Sequence, residues 1–235
     1  MLYELFWRCV HIPYRETGLK ANYAWEKKGR TLFLYFEKSN GATDWRRNLD
    51  FPAKPYKRMG RTLWCAHRGF LAAWREIQPR VAPLIRDPEV EEIIITGYSH
   101  GAAVAVFCHE YAWFHRPELR EKLHGYGFGC PRVFWGIPAG KLLKRWEHFV
   151  VIRNLDDIVT HLPPACFGFS HVGTVLEVGK KGAYTGVQAH FDENILVSLA
   201  VYEAQANSST LTARAFESPE EKTNSLFPAT KEISR

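Results

Sequence analysis

The chain has 235 residues, 46% of them hydrophobic, 14% aromatic and 24% charged, with 31 lysines and arginines against 25 aspartates and glutamates for a formal charge of +6. These are values of one soluble globular domain long enough to bury a full core. No apolar run approaches the length of a membrane-spanning helix.

At the start, Met1-Leu2-Tyr3-Glu4-Leu5-Phe6-Trp7-Arg8 lacks the basic region, long apolar stretch and small-residue cleavage site of a signal peptide. The expected location is therefore cytoplasmic. Cys9, Cys65, Cys108, Cys130 and Cys166 are widely spaced, odd in number and without a C-x-x-C pair, so neither disulfides nor a metal site is expected. Cys9 and Cys108 read as small core residues. Next, Tyr23 to Trp25 and Thr31 to Phe36 flank a Lys27-Lys28-Gly29 turn and predict a β-hairpin. A polar segment from Ser39 to Arg61 follows, broken by Pro52 and Pro55. Its basic cluster Lys54, Lys57, Arg58 and Arg61, like the later Lys141, Lys144 and Arg145, reads as a solvated face. A nucleic-acid groove would need such charges interleaved with stacking aromatics on one surface; the solvated face is the simpler reading, and no nucleic-acid partner is expected. Transient contact with an anionic membrane surface stays open.

Leu63 to Ala66 predicts a short strand, and Gly69 to Val81 an amphipathic helix with Phe70, Leu71, Trp74 and Ile77 on one face. Val90 to Thr96 predicts a buried strand, Ala102 to Phe114 an apolar helix, and Leu123 to Gly129 another strand. A helix over Ile137 to Trp146 and a strand over Phe149 to Asn154 follow. Strands alternating with helices imply an α/β fold, a mostly parallel sheet covered on both faces. The domain is expected to span residues 1–204. From Gln205 to Arg235 the polar, aperiodic composition predicts a mobile tail.

Between the buried strand and the apolar helix lies Gly97-Tyr98-Ser99-His100-Gly101. A strand ending in G-x-S-x-G that passes straight into a helix is the context of a nucleophile elbow. The serine hydroxyl is lifted above the sheet edge, and the amides at the helix start stabilise developing negative charge. Such a serine needs a base and an acid that orients the base, in the order Ser, Asp or Glu, His. Asp156 and Asp157 follow a buried strand, at the correct edge of the sheet. Three histidines come after them. His161 is only four residues beyond Asp157, too near to swing across to Ser99 easily. His171 and His190 both remain, with His190, in a loop before the last helix, favoured by its spacing.

From about Asn22 to Tyr202 the chain resembles the class 3 lipases, the fungal-type triacylglycerol lipases of the α/β-hydrolase fold. His67-Arg68-Gly69-Phe70 resembles their V-H-x-G-F, and Gly97 to Gly101 their G-H-S-L-G. Tyr126 to Val133 resembles T-F-G-x-P-R-V. Asn154 to Pro164 with Phe167 to His171 follows N-x-x-D-I-V-P-x-L-P-P and F-G-F-x-H. The resemblance implies a triad of Ser99, Asp157 and His190, with Asp156 a solvated neighbour, His171 structural and His67 a packed wall of the site. The late D-H-x-x-Y segment has its counterpart at Ala189-His190-Phe191, without the preceding aspartate. The oxyanion donors implied are Ser39, closing Phe36-Glu37-Lys38-Ser39 in place of F-R-G-[ST], and the amide of His100. Two departures stand out. Lys38 replaces a glycine, and His100 replaces an apolar residue.

The stretch Asn40 to Pro52 corresponds to the family lid, with Trp45, Leu49 and Phe51 apolar but Asp44, Arg46 and Arg47 among them. So polar a lid predicts weak interfacial activation and a preference for soluble or short-chain esters. The expected function is a serine carboxylic-ester hydrolase working through an acyl-enzyme on lipid or short-chain esters, without a metal or organic cofactor. Phospholipase A1 or galactolipase activity on the same triad is one alternative, and a non-catalytic lipid- or partner-binding relative another. The sequence carries no signature of oligomeric state.

Overall fold

The computed structural model describes residues 1–14, 20–38, 53–58, 61–136 and 140–216. Its frame begins with the expected hairpin, β1 (Tyr23–Lys28) paired antiparallel to β2 (Thr31–Phe36), Lys28 opposite Thr31. The two-residue turn between them needs a left-handed residue, which Gly29 supplies at φ 60°. Beside β2 run β5 (Glu92–Tyr98), β6 (Leu123–Phe128), β8 (Phe149–Asn154) and β10 (Thr174–Val178), all parallel, giving the order β1-β2-β5-β6-β8-β10.

Side chains of successive strand residues point to opposite faces, so a sheet covered twice feeds two cores. On one face Ile93, Ile95 and Leu34 pack with α2 (Arg68–Ile85) and α3 (His100–His115). On the other Tyr98, Phe128 and Ile152 pack with Phe6 and Cys9 of α1 (Leu2–His11) and with Ile195 and Leu199 of α4 (Asp192–Phe216). Each fully buried large apolar side chain, such as Phe6, contributes roughly 2–3 kcal/mol to this burial. Helix α3 is buried along almost its whole length, from His100 through Ala112, so its alanines allow close approach to the sheet. Its buried Glu110 carboxylate accepts hydrogen bonds from Arg145 and from the Tyr56 hydroxyl. Removing Arg145 alone would leave a buried charge uncompensated.

A second, antiparallel sheet of β3 (Ala53–Arg58), β4 (Arg61–His67), β7 (Phe134–Trp135) and β9 (Phe169–Ser170) lies in the order β3-β4-β7-β9. β3 falls within the stretch expected as an irregular polar segment. Pro55 is tolerated there because β3 is an edge strand, where a missing N–H breaks no central ladder. Residues 39–52, including the expected lid positions Trp45, Leu49 and Phe51 and the expected oxyanion donor Ser39, lie outside the described residues.

Other expectations shift for physical reasons. Helix α2 continues past Pro79 and Pro83 because Val81, Ala82 and Ile85 extend its buried face. Burial of Leu2, Phe6 and Cys9 makes the N-terminal segment a helix where the sequence supplied no assignment. In place of the helix expected over Ile137 to Trp146, a 3-10 helix spans Gly140–Trp146. It is pinned by the buried Trp146 indole, which donates to the Val106 carbonyl at 3.0 Å. The tail expected from Gln205 starts inside α4, which runs to Phe216. Residues 217–235 lie outside the described residues.

Candidate active site

Strand β5 ends at Tyr98, and α3 begins at His100. Ser99 between them holds φ 55° and ψ −119°, a strained conformation for a residue with a side chain. Two glycines make this turn fit. A Cβ on Gly97 would stand 2.3 Å from the Gly101 carbonyl oxygen, and one on Gly101 would stand 2.1 Å from the Phe36 carbonyl oxygen. The helix start is thus pressed directly on β5 and β2, and the Ser99 amide donates to the Phe128 carbonyl at 2.9 Å.

The Ser99 hydroxyl lies 2.8 Å from Nε2 of His190, and Nδ1 of His190 lies 2.8 Å from Oδ2 of Asp157. A carboxylate only accepts, so Nδ1 carries the proton and Nε2 is left to accept from the serine. Asp157 is fully buried, and His190 and Ser99 are 3% and 8% exposed. The second carboxylate oxygen of Asp157 accepts from the Val159 amide at 2.8 Å, so both oxygens are used. Water is largely kept from the pair, which strengthens each interaction in it.

The His190 segment is tied down. It occupies a 3-10 turn, Gln188–His190, directly before α4. The Tyr98 hydroxyl donates to the His190 carbonyl at 2.5 Å. Asn154, at the end of β8, donates through Nδ2 to the Ala189 carbonyl at 2.8 Å and accepts from the Ser198 hydroxyl at 2.8 Å. Under the imidazole, Gly129 leaves no room for a side chain, since its Cβ would stand 2.6 Å from Cε1 of His190. Sequence reasoning assigned no role to Tyr98, Asn154, Ser198 or Gly129. Three of them, Tyr98, Gly129 and Asn154, sit inside the quoted motifs, and that position was the available signal.

The remaining candidates fall as follows. His171 donates to the Thr160 carbonyl at 2.8 Å, while the Thr160 hydroxyl donates to the Asp157 carbonyl at 2.8 Å. Burial pushes the His171 pKa down to about 4. It braces the Asp157 turn and does not reach Ser99. Asp156 is more than a solvated neighbour. At φ 66° it accepts from the Gly182 amide at 2.6 Å, fastening the loop that leads to His190. His67 is buried, stacks on Phe70 with ring centroids 4.0 Å apart, and accepts from the Phe70 amide at the start of α2. The edge of His100 meets Phe70 at 5.5 Å, and its amide belongs to the first turn of α3, where N–H groups point out of the helix start. Lys38, in the strand-end loop, pairs with Asp192 at 3.1 Å and lies over the Tyr98 ring at 5.4 Å. It connects the loop before Ser39 to the residues just after His190.

A mostly parallel sheet, a serine at a strand-to-helix turn, and Asp157 and His190 on later strand-end segments define the α/β-hydrolase architecture with a Ser-His-Asp array. The class 3 lipase model matches residues 33–167, and the chain belongs to that family. It is 28% identical to a lipase of Rhizomucor miehei over 186 residues, covering 71% of this chain and 50% of that protein. It is 26% identical to the secreted mono- and diacylglycerol lipase 1 of Fusarium solani over 164 residues, covering 66% of this chain and 46% of that protein. The solved Rhizomucor miehei triacylglyceride lipase superposes with a TM-score of 0.60 at 26% identity, over 72% of this chain and 66% of that one. The chain thus spans about half the length of the curated relatives it matches.

Proposed function

We propose that the protein is a serine carboxylic-ester hydrolase that cleaves lipid or short-chain esters through an acyl-enzyme. The observation that carries this reading is the unbroken line from Ser99 Oγ through His190 to Asp157, two contacts of 2.8 Å each. His190 takes the Ser99 proton as Oγ attacks the ester carbonyl. Asp157 holds the imidazole in the required tautomer and stabilises its charged form. The His100 amide and Ser39 bind the oxyanion, each such donor being worth roughly 3 kcal/mol in the transition state. His190 then protonates the leaving alcohol, and water repeats the sequence on the acyl-enzyme.

Support for an apolar acyl group comes from the surroundings of the triad. Ile158 beside Asp157, and Val187 and Phe191 on either side of His190, are exposed. The R. miehei and F. solani relatives are named as lipases, which supports lipid esters as the substrate class. The test is hydrolysis of p-nitrophenyl esters from acetate to palmitate by wild type and Ser99→Ala. Turnover lost in the variant by at least about a thousand-fold is the expected result. Turnover that survives Ser99→Ala would refute Ser99 as the nucleophile, and no turnover on any chain length would refute the hydrolase reading and favour a binding protein. Release of fatty acid from phosphatidylcholine or galactolipid would instead assign the same triad to polar-lipid hydrolysis.

A further inference from the structure

Helix α2 has two working faces. Phe70, Leu71, Trp74 and Ile77 pack inward, whereas Arg68, Ala72, Arg75 and Glu76, at spacings of 0, 4, 7 and 8, share the other side. That outer face borders a cleft of about 360 Å³, completed by Lys20, which precedes β1, and Lys54 of β3. The volume lies at the low end of small-molecule sites, about 300–1,000 Å³. Four cations from three separate segments meet there with one carboxylate, Glu76.

Several other surface cations of the chain are paired with carboxylates. Lys27 pairs with Asp87 and Glu89, Arg30 with Glu91, Lys38 with Asp192 and Arg153 with Glu177. Lys20, Lys54 and Arg75 have no ion-pair partner among the described residues. A concave wall lined mostly by one sign of charge focuses its potential. The first turn of α2 adds to it, because that turn has no acidic residue and begins with Arg68, where the helix dipole favours an anion. An anion seated in the cleft would give Lys20, Lys54 and Arg75 a counter-charge.

We propose that this cleft is an anion site for a phosphate ester, held by Lys20, Lys54, Arg68 and Arg75, on the face of α2 turned away from its core contacts. Lysine and arginine supply point-charge and forked contacts to phosphate oxygens. Ala72, half-buried on the cleft wall, supplies a small apolar contact for the carbon portion of the ester. The ester has two sources, a soluble phosphomonoester or the head group of an anionic phospholipid, and the site recognises the chemistry they share. The proposal stands independently of the ester-hydrolase reading.

The test uses the full chain at low ionic strength. Glycerol 3-phosphate and inorganic phosphate are titrated by calorimetry, and sedimentation is measured with phosphatidylcholine vesicles with and without phosphatidic acid. Lys54→Gln/Arg75→Gln is compared with Lys122→Gln/Lys144→Gln, which removes the same charge from exposed positions outside the cleft. The expected loss in the first variant is roughly thirty-fold, about five-fold for each charge, with the second close to wild type and ester turnover unchanged in both. Binding of the soluble ester alone identifies a small-molecule ligand, and binding to phosphatidic acid vesicles identifies a lipid head group. Equal losses in the two variants, or no binding of either ligand by wild type, would overturn the site.

Discussion

Gly129→Ala should disable the catalytic array without replacing any of its members. Gly129 holds φ 55° and its amide donates to the Ile152 carbonyl at 2.9 Å. An added Cβ would stand 2.6 Å from Cε1 and 2.8 Å from Nδ1 of His190. Ordinary contact begins near 3.4 Å, so the ring must retreat by about 0.8 Å. A retreat of that size stretches the 2.8 Å contacts to Ser99 and Asp157 toward the limit of a hydrogen bond. Misplacement on this scale costs about 100-fold in rate, equivalent to about 2.7 kcal/mol. The left-handed backbone adds about 1–2 kcal/mol of lost stability for alanine. Gly29→Ala is the matched control, since Gly29 has φ 60° with nothing within 4 Å of an added Cβ. Turnover of p-nitrophenyl butyrate and thermal unfolding are to be measured for both variants. Similar destabilisation with a rate loss confined to Gly129→Ala is expected. Wild-type turnover in a folded Gly129→Ala would refute the argument that this close approach sets the His190 position.

Asn154→Leu keeps the side-chain size but strands the Ala189 carbonyl and the Ser198 hydroxyl, for a loss of about 2–4 kcal/mol by urea unfolding. Ser198→Ala, which removes one of these bonds, should cost about 1 kcal/mol. Burial pushes the His109 pKa down to about 3, so the unfolded chain binds more protons at this position than the folded one between about pH 6.5 and 3. Stability then falls as the solution is acidified through that window, by no more than about 1.4 kcal/mol per pH unit for one group. His109→Leu should flatten this acid limb, and an unchanged slope would show that His109 does not contribute. The Lys38–Asp192 pair is partly exposed, so Lys38→Ala should cost well under 1 kcal/mol in stability. Its effect belongs in turnover, a reduction of at most about five-fold that vanishes in high salt as the wild-type pair is screened.

Local order was legible because it depends on neighbours in sequence. The Tyr23–Phe36 hairpin, the strand–Ser99–helix turn and the strand ending at Asn154 are all contiguous patterns of alternation, small residues and turn formers. The β3 strand and α1 were not legible. β3 owes its form to β4 across the sheet, and α1 to packing with α4 and β5. Among the site residues, spacing alone left both His171 and His190 open as the base, because both follow Asp157 in the right order. Geometry separates them: His171 is spent on the Thr160 carbonyl, and His190 spans Ser99 and Asp157.

The amino-acid order by itself determined the kinds of groups available and the elements that carry them. Gly97 and Gly101 allow the turn at Ser99 because the constraint they relieve lies within a few residues, apart from the Phe36 carbonyl that presses on Gly101. Only the folded chain decided which groups meet. Asn154 holding Ala189, Tyr98 holding His190, Gly129 clearing the ring and four cations facing one cleft are contacts between segments far apart in sequence. Such contacts depend on the order and register of the parallel strands, which bring distant strand ends to one edge of the sheet and leave no periodic trace along the chain.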